Sequence, residues 1–117
     1  MALASELKVY RDTYKLVALL IEVTGNFSRR HKYTLGQKIY DTSLELFGYI
    51  QLANMFKQNR VTHLNGFIVK FELLKTLIRL GGEKHCISIG QQANIAQLTE
   101  SIGRQVSAWK NAPLPAQ

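Results

Sequence analysis

The sequence predicts an all-α protein, an antiparallel up-down four-helix bundle. Apolar residues recur at three- and four-residue steps in four separate stretches, and glycine, proline or capping residues punctuate the gaps between them. No stretch alternates apolar and polar residues for long enough to read as a strand. Short connections between long helices make consecutive helices antiparallel neighbours. The expectation is a single domain over residues 1–117, with helices at about 5–24, 34–56, 62–81 and 88–111 and a C-terminal tail at 112–117.

In the first helix Leu7, Tyr10, Tyr14, Val17 and Ile21 form the predicted buried stripe, with Gly25 as its stop. The second carries Leu35, Ile39, Ser43, Leu46, Ile50 and Ala53, flanked by Leu44 and Phe47, and Thr34 with Gln37 has the spacing of a capping box at its start. The third has the most regular seam, Leu64, Phe67, Phe71, Leu74 and Ile78, up to Gly81-Gly82, a pair unfavourable inside a helix. The fourth opens with a second capping-box spacing, Ser88 and Gln91, and carries Ile95, Leu98, Ile102, Val106 and Trp109 until Pro113 and Pro115 end regular structure. Leu16, Leu20, Leu44, Ile68, Leu77 and Leu80 lie beside the seams and widen the apolar stripes, which favours self-association.

The chain has 117 residues, one domain's worth and short for an enzyme with a dedicated substrate cleft. Lys and Arg number 15 against 8 Asp and Glu, a net charge of +7 that favours phosphate-bearing or otherwise acidic partners. A single cysteine, Cys86, excludes an internal disulfide and fits a reducing cytoplasm; beside His85 it reads as a small apolar filler. The longest apolar run, Leu16 to Ile21, is too short for a membrane span and badly placed for a secretory signal, so a cytoplasmic protein without a targeting segment is expected.

The placement of charge is uneven. Phe27 to Gly36 reads as a basic loop entering a helix start, where anions are favoured, and its Arg29, Arg30, His31 and Lys32 have no acidic residue between Glu22 and Asp41 to neutralise them. These four are the leading candidates for contacting nucleic acid or an acidic protein surface, against the alternative of an ordinary solvated loop. Lys8, Arg11 and Lys15 share a helix face with Asp12 and Glu22, so a self-paired, solvated face competes with a binding one. Lys75 and Arg79 are weakened by Glu72, and Lys38, Lys57, Arg60, Lys84, Arg104 and Lys110 extend the field. Phe27 and Tyr33 bracket the basic run and are expected to pin it to the core rather than to stack on bases. Trp109, at seam spacing, is expected to anchor the core or a subunit interface.

Catalytic and metal-binding patterns are missing: no Glu-x-x-His pair, no zinc spacing, no phosphate-cradling glycine loop. The expectation is a non-enzyme without cofactor or metal. One exception competes: Arg79 and His85 have a spacing that resembles the Arg-to-His motif of HEPN-class helical ribonucleases, although the pair straddles Gly81-Gly82.

Phe27 with Arg30, Lys32-Tyr33-Thr34-Leu35-Gly36, Leu73 to Leu80, and Ile102-Gly103-Arg104-Gln105 with Trp109-Lys110, taken in order, resemble one family of small proteins. It is the accessory variability determinant, or Avd, of diversity-generating retroelements, a family of four-helix bundles. The resemblance spans nearly the whole chain. It implies a cytoplasmic, non-enzymatic, basic homopentamer, ring-like in form, that binds RNA and DNA and associates with the retroelement's reverse transcriptase to support mutagenic cDNA synthesis. Under it, basic residues position the template and the polymerase performs the chemistry. Where the family usually ends in Gly-Gly-Trp, this chain has Ser107-Ala108-Trp109-Lys110. Two other readings stand beside it: a basic helical protein-interaction module without a nucleic-acid role, and the HEPN-like ribonuclease.

Overall fold

The computed structural model describes residues 3–114, and among them every regular element is helical. A 3-10 turn, Ala4–Glu6, precedes α1 (Lys8–Gly25). A short α-turn, Arg29–His31, and a π-helical stretch, Lys32–Gly36, lead without interruption into α2 (Gln37–Met55). A 3-10 turn, Lys57–Asn59, connects to α3 (Arg60–Glu83), and α4 (Ile89–Asn111) is the last helix among the described residues. Packing runs around a ring: α1 lies against α2 and α4, and α3 lies against the same two, which is a four-helix bundle 53 Å along its long axis.

The seams of α2, α3 and α4 fall where helical spacing places them. Ile39, Leu46, Ile50, Leu64, Phe67, Leu74 and Ile102 are completely buried, and the Phe67 and Phe71 rings meet at 5.4 Å. The stripe predicted for α1 is wrong. Its buried side is Val9, Leu16, Leu20 and Val23, joined by Asp12, Thr13, Val17 and Thr24, whereas Tyr14 is 63% and Ile21 48% exposed. This helix carries two apolar stripes that overlap at Val17. The aliphatic one can close a tight core, while the tyrosines have hydroxyls that need water. Tyr10 and Tyr14 therefore lean on Phe47 at the bundle's edge, with centroids 5.1 and 6.5 Å from its ring. Of the flanking residues, Leu16 and Leu20 are core, Ile68 and Leu77 half-buried, and Leu44 and Leu80 exposed.

Two terminators also behave differently from expectation. The basic segment is not a loop. Backbone bonds from His31 N (3.0 Å) and Lys32 N (2.8 Å) to the Ser28 carbonyl start helical structure immediately after Phe27. Thr34 then lies inside a helix, its hydroxyl 3.4 Å from the Arg30 and His31 carbonyls, and Gln37 bonds Asp41 at 3.0 Å, so the anticipated capping box does not form. Phe27 holds this end together: it is only 5% exposed, and its ring lies 3.1 Å from where a Cβ on Gly36 would sit and 3.8 Å from one on Gly81.

Gly81-Gly82 does not stop α3, which continues to Glu83. The helix ends in a Schellman arrangement, with Cys86 N bonded to the Gly81 carbonyl at 2.8 Å and His85 N to the Gly82 carbonyl at 3.0 Å. The left-handed position is His85, at φ 61°, and not a glycine. The two glycines answer a steric need instead, since a Cβ on Gly81 would lie 2.7 Å from Ile87 Cδ1 and one on Gly82 2.5 Å from Gln92 Oε1. The Ser88–Gln91 capping box forms as its spacing predicts, with bonds of 3.1 and 2.9 Å. After Asn111 the chain leaves the helix and Pro113 has no regular structure; Pro115, with the rest of the predicted tail to 117, lies outside the described residues.

Candidate nucleic-acid interface

Arg29, Arg30 and Lys32 stand exposed on the turns that lead into α2, and His31 is half-buried among them. Among the described residues none of the four has a carboxylate within ion-pair distance. They also occupy the beginning of a long helix, where the backbone dipole disfavours cations. Fixed charge concentrated there works against stability unless an anion meets it.

Beside the run lies a cleft of about 120 Å³ between the end of α1 and the start of the second helix, lined by Ile21, Thr24, Gly25, Lys32, Tyr33, Gly36, Gln37 and Tyr40. Here the two bracketing aromatics part company. Phe27 pins the segment as expected, but Tyr33 is 70% exposed and pins nothing. Phe27 precedes the helical turns and is buried, whereas Tyr33 sits within them on a side turned to solvent. Of the cleft residues, Gln37 was read only as a capping-box partner of Thr34 and Tyr40 was not singled out; their signal is a helical relation to Tyr33, which a presumed loop concealed.

The remaining basic candidates do not gather into one patch. Lys38 is exposed on the first turn of α2, near the run. Lys75 and Arg79 lie one turn apart on α3 and line a groove of about 290 Å³ against α4, with Ile78, Gln92, Ile95, Ala96 and Thr99. Lys75 is partly neutralised by Glu72 at 2.8 Å and sits 5.2 Å above the Phe71 ring. Arg104 is exposed farther along α4, next to Gln105, which bonds Asp12 of α1; Asp12 lies 13 residues before Gly25, or about 20 Å of helix from the Phe27 end. Trp109 is half-buried near the far end, packed on the core and sharing a cleft with Leu7, Lys8, Val9 and Gln105.

The Lys8, Arg11 and Lys15 face is partly self-paired, as its acidic neighbours suggested. Lys8 Nζ bonds Asp12 at 2.9 Å, and Arg11 donates to the Glu6 carbonyl at 2.6 Å. Asp12 does more than neutralise: it is buried, and Oδ2 also accepts from Gln105 Nε2 (2.7 Å) and Ser101 Oγ (3.2 Å) of α4. Burial pushes this carboxyl up, but the bonds from Lys8, Gln105 and Ser101, with the Lys8 charge, outweigh it and hold it below 3.8. At the same end Arg60, 6% exposed, donates to the Ala112 carbonyl and so ties the start of α3 to the end of α4.

Arg79 and His85 are separated in role. Arg79 lines the α3–α4 groove, which His85 does not, and His85 supplies the left-handed turn after α3. Cys86 is half-buried against the core, the place of an apolar filler. No helix among the described residues is long and apolar enough to cross a membrane.

A comparison with curated proteins finds no match. Residues 7–112, nearly the whole bundle and all of the interface just described, match the family model described as bAvd-like. The chain therefore belongs to the bAvd-like family and is an accessory protein of the Avd type.

Proposed function

We propose that this protein is the nucleic-acid-binding accessory subunit of a diversity-generating retroelement, associating with its reverse transcriptase and template RNA to support mutagenic cDNA synthesis. It acts as a cytoplasmic, non-enzymatic scaffold and assembles as a homopentamer. The observation that carries the reading is the exposed Arg29, Arg30 and Lys32 run, without a carboxylate partner among the described residues, on a family member of net charge +7. His31 adds a titratable group, while Lys38 and Arg79 flank the same end. Side chains of this kind set the register of a phosphate backbone and carry no sequence preference. Lys75 and Arg104 are secondary contacts in this reading, the first because Glu72 shares its charge, the second because it lies toward the other end of the bundle.

The test is fluorescence anisotropy with a labelled structured RNA and a duplex DNA across a salt series. Wild-type protein binds both and weakens steeply with salt. Replacing Arg29, Arg30 and Lys32 together by Ala lowers the duplex salt slope by up to about 3, near 0.9 for each phosphate no longer neutralised. An unchanged slope and affinity overturn the assignment of these residues. Binding of the reverse transcriptase without any nucleic-acid binding selects the protein-docking module instead.

A further inference from the structure

We propose that the cleft between Tyr33 and Tyr40 receives one unpaired nucleobase of a single-stranded nucleic acid, stacked on Tyr33 with the adjoining phosphates held by Lys32 and the basic run; this rests on the nucleic-acid reading above. Tyr33 is a large aromatic left 70% exposed in the middle of uncompensated cations. Single-strand binders combine the same two ingredients, a ring on which any base can stack and a positive track for the backbone.

The cleft suits a flat ring. Tyr33, Tyr40 and Ile21 supply apolar wall, and Gly25, where a Cβ would meet nothing within 4 Å, leaves backbone that a planar group can approach closely. Lys32, Gln37 and Thr24 give it a polar margin. Its volume of about 120 Å³ is close to the about 150 Å³ of a protein cavity that takes benzene, enough for one ring and too little for a whole nucleotide. A base inside a duplex has both faces covered by its neighbours and cannot stack on Tyr33, so the site selects unpaired strands. Charge is uneven around it: Arg29, Arg30 and Lys32 are exposed without an acidic partner among the described residues on one side, and toward α2 Lys38 is offset by Asp41, which Gln37 holds at 3.0 Å.

The experiment compares wild type, Tyr33→Ala and Tyr33→Phe by anisotropy, using a labelled 12-nucleotide RNA, DNA of the same sequence, and the blunt duplex of that RNA. Tyr33→Ala is expected to weaken single-strand binding about five-fold or more, the usual effect of losing one stacking partner. Duplex affinity and the salt slope stay unchanged, because no charge is removed, and Tyr33→Phe retains wild-type binding. A loss on both single strands identifies the base ring as the recognised group; a loss on RNA or DNA alone identifies the occupant. Equal losses on single strand and duplex, or no loss with Tyr33→Ala, overturn the proposal while leaving the nucleic-acid reading intact. Failure of the wild type to bind any of the three overturns both. Because Tyr33 is exposed, circular dichroism should be identical for all three proteins.

Discussion

Replacing Asp12 by Ala tests whether the bundle depends on a polar joint between α1 and α4. The carboxylate oxygen Oδ2 accepts three bonds: from Lys8 at 2.9 Å, Gln105 at 2.7 Å and Ser101 at 3.2 Å. The Lys8 side chain is 64% exposed, and a pair of that kind four residues apart contributes about 0.3–0.5 kcal/mol. The two bonds across helices matter more, since a hydrogen bond to a charged group contributes about 1.5–3 kcal/mol. They are not independent, because Gln105 and Ser101 remain bonded to each other at 3.1 Å after Asp12 is gone. A net loss of about 2 kcal/mol follows. It is read as a lower urea midpoint at unchanged slope, with all variants at one protein concentration so that association does not enter. The cycle of Asp12→Ala, Gln105→Ala and the double variant should give a coupling of about 1–2 kcal/mol. A cost under about 0.5 kcal/mol, or strict additivity, would refute the reasoning. The pH dependence has a definite sign: the folded carboxyl titrates below its ordinary 3.8, so its contribution is present above pH 3.8 and is lost as pH falls through the folded value. Asp12→Asn should flatten that acid limb.

Gly81→Ala should cost about 1–3 kcal/mol by urea denaturation, because the new methyl meets Ile87 Cδ1 at 2.7 Å, whereas Gly48→Ala, with nothing within 4 Å, should gain about 0.5–1 kcal/mol from helix propensity. His85→Gly should leave the fold intact and raise stability by about 1 kcal/mol, since the left-handed φ of 61° costs a side chain and costs glycine nothing; a loss of stability would mean that His85 makes a contact of its own. In sedimentation the wild type should run as a particle of five times the 13.3 kDa chain, and Trp109→Ala should shift it toward smaller species if that ring anchors the subunit contact. An unchanged distribution removes Trp109 from the interface.

Legibility in the sequence followed the number of solutions each stretch allowed. α3 has one apolar stripe, and Leu64, Phe67, Phe71, Leu74 and Ile78 were readable in full. α1 has two, and spacing alone cannot say that Leu16 and Leu20 outcompete Tyr14 and Ile21 for the interior, because that is decided by the hydroxyls and by the partner helices. The start of the second helix was hidden by composition: Arg, His and Lys in succession look like a solvated loop, yet nothing in Ser28 to Leu35 forbids helical backbone once Phe27 is buried. The basic residues were identifiable from their want of acidic neighbours. The cleft next to them was not, because it needs α1 and α2 side by side. Asp12 was read only as a neutralising neighbour on the Lys8, Arg11 and Lys15 face, since its bonds to Ser101 and Gln105 span 89 and 93 residues.

The π-helical stretch Lys32–Gly36 holds one residue more per turn than the α-helix that follows it. The wider turn absorbs the extra residue, so Arg29 and Arg30 keep nearly the angular phase relative to α2 that an unbroken α-helix one residue shorter would give them. Deleting one residue within the stretch would allow an unbroken α-helix and leave Arg29 and Arg30 near their present bearing. Running all five residues as α-helix would instead swing them by most of a step of about 100° around the helix axis, with no change in their identity or in the net charge. Aim, then, is separable from composition: the same basic residues point in different directions according to whether the turn between Lys32 and Gly36 is wound as π-helix or as α-helix.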